Sequence, residues 1–294
     1  MTDWIAWTLL AASMQAVRTA GQKYLHESLS ALTATLARYL FGLPVVLAYV
    51  FWLDPPFDQA SMTAAYGLTI ALAGCLQVLA TVLLVRLFSL RNFALGSTFI
   101  RLEIMMTAVI GSLFFQDALS SLAWLGVIVA SVGIVSLQWN PERRLHLTLD
   151  RSVFYGLASA LAFSLTSLLI RDASLSLGLN DAVSAAAMTL ALMVILQTAL
   201  CLGLVFINER REIKQLLLKW RLGLFIGVTG VLGSIGWFTA FTLERAAYVK
   251  TLGQVEFVFS LLISYFIFKE RAKQHEWWGM GLVCLGAVLM IWAD

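Results

Sequence analysis

Two stretches of equal length decide the fold: residues 124–139 read WLGVIVASVGIVSLQW, and residues 277–292 read WWGMGLVCLGAVLMIW. Both begin and end with tryptophan, and the second lies 153 residues after the first. The same offset, without a gap, aligns Arg18 with Arg171, Gly74 with Gly227, Gly126 with Gly279, Gly133 with Gly286, Glu103 with Glu256, and Asp117 with Glu270. Because charged and aromatic residues match at rare positions, the chain contains an internal duplication.

The composition indicates a membrane protein and argues against a soluble enzyme. Of the 294 residues, 60% are hydrophobic and 13% are charged, whereas soluble domains average about 45–50% apolar and about 25% charged. Apolar runs of spanning length cover residues 4–22, 32–53, 64–88, 95–115, 121–139, 153–172, 183–207, 221–242, 248–268 and 276–292. The runs are too long for barrel strands and do not alternate, so we expect an all-α integral membrane protein with ten transmembrane helices.

The duplication predicts how these helices are organised. Each copy holds five helices, and an odd number reverses the direction in which the second copy enters the membrane. We therefore predict two inverted five-helix repeats, residues 1–140 and 141–294, that form one membrane domain. Inverted repeats are typical of secondary transporters, whose binding sites lie between the repeats near the middle of the bilayer.

The basic residues predict the orientation. We name the side that holds both termini side A and the opposite side B. Of the 20 Lys and Arg residues, fourteen fall in loops on side B, four lie inside helices, and only Arg245 and Lys250 fall in loops on side A. The positive-inside rule then places side B in the cytoplasm and both termini outside a bacterial-type inner membrane. The first apolar run continues to Arg18 and Lys23 without a convincing cleavage site, so we expect no secretory signal peptide.

The end of each copy resembles a known family. The second copy reads EFVFSLLISY over residues 256–265, followed by Lys269-Glu270-Arg271, Gly279 and Gly286. This pattern is similar to the EamA-like ten-helix branch of the drug/metabolite transporter superfamily. Two departures are visible: Ile104 and Phe257 stand where the family has proline, and the family usually has cytoplasmic termini. Because its members move many small metabolites, the resemblance implies a transporter without naming its substrate.

Ionisable side chains inside the apolar runs are the candidate functional groups. Each costs about 2.5–3.5 kcal/mol on insertion scales, so each is expected to have a partner or a function. They are Arg18, Arg38, Arg101, Glu103, Arg171 and Glu256. Arg18, Arg38, Arg101 and Glu103 share a depth of roughly 10–13 Å from side B, whereas Arg171 lies near side A, where its side chain can snorkel. The surplus of positive charge predicts a pocket for a carboxylate or phosphate. A structural Arg–Glu network is the alternative.

Arg101 is the leading candidate for substrate contact, with help from Arg18 or Arg38. Arg101 and Glu103 are two residues apart and project away from each other, so we expect them to face different neighbours. Either Glu103 pairs with Arg18 or Arg38 and leaves Arg101 freer for the ligand, or the reverse holds. The predicted substrate-binding residues are Arg101, Arg18, Arg38, Glu103, Gln15, Gln77, Tyr39, Trp237 and Gln254. Glu256 and Glu103 are candidates for carrying a coupling proton. Glycines crowd the eighth apolar run, which fits close helix contact or a flexible gate.

The predicted function is transport of a small metabolite by alternating access, secondary active or facilitative. A flippase for a lipid-linked phosphate or sugar headgroup is the alternative. We do not expect an enzyme, because the apolar runs carry no catalytic or metal-binding motif, and no phosphate-binding loop for ATP is present. No cofactor or nucleic acid is expected. The expected partners are the substrate, the lipid bilayer, and a coupling proton or exchanged solute, and no oligomer is required.

Overall fold

A computed structural model describes residues 3–26, 29–56, 62–88, 99–138, 151–259 and 274–293. Within these ranges the chain is helical and contains no β-strand. The helices are α1 (Asp3–His26), α2 (Ala31–Leu53), α3 (Ala64–Phe88), α4 (Glu103–Phe114), α5 (Ser121–Gln138), α6 (Arg151–Ser176), α7 (Ala182–Asn208), α8 (Arg210–Leu218), α9 (Trp220–Leu243), α10 (Ala246–Leu252) and α11 (Gln274–Trp292). A 3₁₀ turn, Gly253–Val255, joins α10 to a helical segment at 256–259.

The described helices confirm the all-helical fold. Eight of the ten predicted runs coincide with one helix each, to within about one turn, and the runs 95–115 and 248–268 are described only in part. Five helices are long and apolar enough to cross a membrane, judged by length and composition alone: α2, α3, α6, α7 and α9. The presence of ten spans therefore stays a prediction.

One helix, α8, occupies a stretch that the sequence predicted as a loop. Its charged side chains are mostly exposed, which is why the apolar pattern did not reveal it. Two glutamates anchor it to the start of α2: the Ser30 backbone N–H donates to Glu212 Oε2 at 2.9 Å, and the Thr33 hydroxyl donates to Glu209 Oε2 at 2.9 Å. Glu209 follows the end of α7 and Glu212 lies in α8, so these bonds hold the junction between α7 and α8 against the beginning of α2.

The most extensive helix contacts join the two sequence copies. They are α5 with α11, α1 with α9, α3 with α6, and α2 with α7. By the sequence offset, α1 is equivalent to α6, α2 to α7, α3 to α9, and α5 to α11. The α1–α9 and α3–α6 contacts are therefore the same contact made twice, while the other two pairs join equivalent helices. A two-fold relation between the copies produces this pattern.

The paired glycines of the two tryptophan-bounded stretches allow α5 and α11 to approach closely. A Cβ atom added at Gly133 would lie 2.8 Å from the Val283 backbone nitrogen, and one at Gly286 would lie 2.7 Å from the Ala130 backbone nitrogen. Small residues at such crossings let helix backbones pack directly against each other. The repeated glycines thus have a structural reason.

The glycine-rich helix α9 makes the same kind of contact with α1 and α2. A Cβ atom at Gly227 would lie 2.6 Å from the Phe41 carbonyl carbon, and one at Gly236 would lie 2.6 Å from the Trp7 carbonyl oxygen. Close helix contact, one of the two interpretations of this run, is confirmed at these positions. It places α9 between the two helices that carry Arg18 and Arg38.

The outer surface carries large apolar side chains. Phe51 is 88% exposed, Trp52 is 79% exposed and Ile207 is 78% exposed. Soluble monomers rarely expose apolar patches on this scale, whereas lipid tails solvate them. The surface is that of a multi-pass membrane protein.

The start of α7 gives a first testable prediction. The Asp181 carboxylate accepts hydrogen bonds from the Ser184 hydroxyl at 2.6 Å, the Ser184 N–H at 2.9 Å and the Val183 N–H at 3.2 Å. These bonds, the Ser184 hydroxyl foremost, lower the pKa of Asp181. A lowered pKa means that the carboxylate stabilises the fold above its unfolded pKa of about 3.9 and loses this effect as the pH falls through the folded value.

Asp181→Ala should therefore lower the free energy of unfolding by roughly 1 kcal/mol at pH 7. The difference from the unsubstituted protein should shrink as the pH falls below the unfolded pKa of about 3.9 and the carboxylate becomes protonated. Denaturation in detergent at pH 7 and at acidic pH measures it. Asp172→Ala is the matched control, because Asp172 is exposed and makes no hydrogen bond or ion pair within the described ranges. Equal losses in both variants would contradict the capping role.

Candidate functional site

A polar cavity of about 150 Å³ lies between helices of both sequence copies. Its polar lining consists of Gln15, Arg18, Thr19, Arg38, Gln77, Arg101, Glu103, Thr166, Ser167, Ser234, Lys250 and Glu256. Its aromatic lining consists of Phe163, Trp237, Phe238 and Phe241. The first copy contributes α1 to α4 with residues 100 and 101, and the second contributes α6, α9, α10 and Glu256. The two copies thus build one site at their shared interface.

The lining carries a surplus of positive charge. Among the described lining residues, four side chains are cationic and two are anionic, which leaves a formal excess of two positive charges: Arg18, Arg38, Arg101 and Lys250 against Glu103 and Glu256. Five of the six ionisable residues found in the apolar runs therefore meet in this cavity. The sixth, Arg171, does not line it.

Lys250, which the sequence assigned to a surface loop, pairs with Glu103 inside the cavity. The Lys250 ammonium also lies 5.2 Å from the ring centroid of Trp237 and 5.6 Å from that of Phe241, and aromatic faces attract cations at such distances. The loop assignment is wrong because α10 begins at Ala246 and carries Lys250 inward. The expected pairing of Glu103 with Arg18 or Arg38 is also wrong, because Lys250 is the ion-pair partner of Glu103. Moving Lys250 into the cavity leaves side A with still fewer basic residues.

Glu256 ends a chain of hydrogen bonds that crosses the cavity. The Trp237 indole N–H donates to Gln15 Oε1 at 3.0 Å, and Gln15 Nε2 donates to Glu256 Oε2 at 2.6 Å. Arg18 and Arg101 interact electrostatically with Glu256. No ion pair to Glu256 occurs among the residues that the structure describes. A single carboxamide thus holds this carboxylate.

The three cavity arginines have different surroundings. Arg38 Nη2 donates to the Ser234 hydroxyl at 3.0 Å, and its guanidinium carbon lies 5.2 Å from the Tyr39 ring centroid. The Arg101 guanidinium carbon lies 4.0 Å from the Phe257 ring centroid. The buried Nε atoms of Arg18 and Arg101 have no hydrogen-bond partner in the described part of the chain. Donors of this kind are available to a ligand.

Two predicted binding residues do not line the main cavity. Gln254 turns back along its own helix, where Nε2 donates to the Lys250 carbonyl at 3.0 Å, because a side chain one turn further on reaches that carbonyl. Tyr39 is buried and lines a smaller cavity beside Arg38 and Gln77. Trp237, by contrast, lines the main cavity, and its role in substrate binding stays a prediction.

Arg171 is held inside the protein and does not snorkel. Its Nε lies 3.4 Å from Asp117 Oδ1, and its Nη1 donates to the Phe241 carbonyl at 2.8 Å. Both partners face α6 from other elements, so the guanidinium is satisfied without reaching the surface. Arg171 therefore ties α6 to the end of α4 and to α9.

The sequence did not identify Lys250, Ser234 or the three phenylalanines of the aromatic lining as residues of the site. Lys250 lies within the predicted run 248–268, so counting it among the intramembrane charges would have found it. The phenylalanines gave no signal, because 18 of them are spread along the chain. Among the aromatic lining residues, only Trp237 could be singled out from the sequence, because it lies well inside a helix.

The fold and the site define a class: a multi-pass helical membrane protein with a charged cavity between two duplicated halves, which is the organisation of secondary transporters. The model of the EamA-like transporter family matches residues 2–138 and 150–292, one match for each copy. The chain belongs to this family, which confirms the resemblance to the drug/metabolite transporter superfamily. It is a membrane transporter of small molecules, and the family consists of transporters, not enzymes.

A comparison of structures shows the same fold. One solved crystal structure is similar to this chain with a TM-score of 0.75 and 13% sequence identity. The similarity covers 99% of this chain and 97% of that one. No curated protein matches the sequence.

Proposed function

We propose that the protein is a secondary active or facilitative transporter of a small metabolite that bears a carboxylate or phosphate, such as an amino-acid-like solute. The observation that carries this proposal is the surplus of two positive charges in the cavity between the copies. Guanidinium groups bind carboxylates and phosphates through paired hydrogen bonds. Intramembrane charges are costly, so an anionic ligand gives the surplus a function.

Alternating access is the proposed mechanism. Residues 1–140 and 141–294 form two inverted repeats that rock against each other about the cavity. The contacts between equivalent helices support this arrangement, and the boundary between the repeats lies outside the described residues. The proposed location is a bacterial-type inner membrane with both termini outside, as the distribution of basic residues favours.

Transport by purified protein in liposomes tests the proposal. Pools of labelled carboxylates, phosphate esters, neutral solutes and cations are supplied separately, with protein-free liposomes as the control. We expect uptake of solutes that carry an anionic group and competition among them. Uptake confined to neutral or cationic solutes would overturn the anionic substrate. Movement of a labelled lipid between leaflets, without uptake of any soluble solute, would identify a flippase instead.

Glu256 is proposed to carry a coupling proton, because no ion pair within the described residues fixes its charge. Glu256→Gln keeps the size of the side chain but cannot titrate. Uptake by the unsubstituted protein should respond to an imposed pH gradient, and uptake by this variant should not, while exchange of solute across the membrane persists. Glu244→Gln is the matched control, since Glu244 is not among the cavity residues. A full gradient response in Glu256→Gln would contradict the assignment.

A further inference from the structure

A side chamber of about 40 Å³ adjoins the main cavity between α1, α2, α3 and α6. The two spaces share Arg18, Thr19, Arg38, Leu84 and Phe163 as lining residues. The remaining lining residues of the side chamber are Gln22, Ala34, Thr81 and Val85. Since a buried water needs only about 10–15 Å³ of such space, the side chamber can hold a small polar group.

Two buried donors of the side chamber lack acceptors. Among the residues that the structure describes, Arg18 Nε and Gln22 Nε2 have no hydrogen-bond partner, although buried polar groups in proteins nearly always have one. The hydroxyl protons of Thr19 and Thr81 are already donated, to the Gln15 and Gln77 carbonyls at 2.8 Å each. The missing group is therefore an acceptor, and it faces a guanidinium and a carboxamide on successive turns of α1.

The positive charge of the cavity is concentrated at this end. Arg18 and Arg38 both pack on Gly230, where an added Cβ atom would lie 3.1 Å from Arg38 Cγ and 3.4 Å from Arg18 Cδ. The described residues that line the side chamber include no carboxylate. The positive charges of Arg18 and Arg38 interact unfavourably with each other, and an anion in the side chamber would compensate both.

Arg101 has a different electrostatic environment. Its charge interacts with those of both Glu256 and Glu103, and its guanidinium stacks on Phe257. Arg18, by comparison, interacts with one carboxylate, Glu256, and with the like charge of Arg38. Arg101, the leading candidate from the sequence, is therefore less available to a substrate anion than Arg18.

We propose that the side chamber binds the anionic group of the transported solute, with donors from Arg18, Gln22 and Arg38. Arg101 does not line the side chamber, and its charge interacts with those of Glu256 and Glu103 instead. The rest of the solute lies in the main cavity against its aromatic lining, Phe163, Trp237, Phe238 and Phe241. This inference rests on the proposed function, because it locates the charged group of the substrate that the transporter is proposed to carry.

Anion binding to the full-length protein tests the inference. Inorganic phosphate and acetate are titrated at constant ionic strength, and tryptophan fluorescence or thermal stabilisation reports binding. Arg18→Gln and Gln22→Leu should weaken binding of the anion by about 10- to 100-fold, since each removes a hydrogen bond to a charged group. Arg101→Gln should weaken binding by a smaller factor than either of these variants, because Arg101 does not line the side chamber. Arg221→Gln is the control for loss of one positive charge, because Arg221 is exposed and lies outside the cavity.

The outcomes separate this inference from the proposed function. Loss of binding in Arg18→Gln and Gln22→Leu, with binding kept in Arg101→Gln, supports the side chamber. Binding that is lost in Arg101→Gln, or kept in every variant, overturns the side chamber and leaves an anionic substrate in place. Failure of the unsubstituted protein to bind either anion overturns both. If Arg18→Gln does not fold, Gln22→Leu decides, because it changes neither the charge nor the approximate size of the side chain.

Discussion

Lys250→Ala should destabilise the protein by about 3 kcal/mol, because it leaves the Glu103 carboxylate without its partner. The two side chains retain only 15% and 17% exposure, so water cannot fully replace the ammonium. The expected loss lies at the lower end of the range for buried pairs, since the cavity admits some solvent. Equilibrium denaturation in detergent measures it.

The double variant Lys250→Ala/Glu103→Gln provides the control. Removing the charge of Glu103 as well should restore most of the lost stability, because a neutral carboxamide tolerates burial better than an unpaired carboxylate. Glu103→Gln alone should also be destabilising, since it leaves the Lys250 ammonium among the aromatic rings without an anionic partner. If the single and double variants are equally unstable, the ion pair contributes packing alone and the electrostatic argument is wrong.

The sequence could predict which residues meet, but not which of them pair. The shared depth of Arg18, Arg38, Arg101 and Glu103 follows from helix rise and run boundaries, and all four line one cavity. The partner of Glu103, however, lies 147 residues away in the other copy. Its identity depends on how helices of the two copies are rotated against each other, and no spacing within one helix encodes that rotation.

The same limit explains the remaining differences. Tyr39 and Gln254 are polar residues in apolar runs, which is all that the sequence could use. Each turns away from the main cavity, Tyr39 toward a smaller space and Gln254 toward a carbonyl of its own helix. The duplication, by contrast, could be predicted in full from the sequence. It depends on which residues recur at a fixed spacing and not on how their side chains are oriented.

Gly227→Ala should destabilise the protein by up to about 3 kcal/mol, the upper end of the usual cost of overpacking. The new Cβ atom would lie 2.6 Å from the Phe41 carbonyl carbon and 2.7 Å from the Gly42 nitrogen. These are backbone atoms, so α2 has to move away from α9, and no change of rotamer relieves the clash. Because α2 also carries Arg38, we expect binding of phosphate to weaken together with stability.

Two other glycines complete the series. Gly203→Ala is the matched control: nothing in the described part of the chain lies within 4 Å of its added Cβ atom, so the higher helix propensity of alanine should raise stability by about 0.5–1 kcal/mol. Gly230→Ala should fall between them, because its closest neighbours are the flexible stems of Arg38 and Arg18 at 3.1 and 3.4 Å. Those stems can shift, so this variant should lose affinity for the anion with little loss of stability. Equal stability of Gly227→Ala and Gly203→Ala in denaturation would show that α9 does not pack on α2 as closely as the structure indicates.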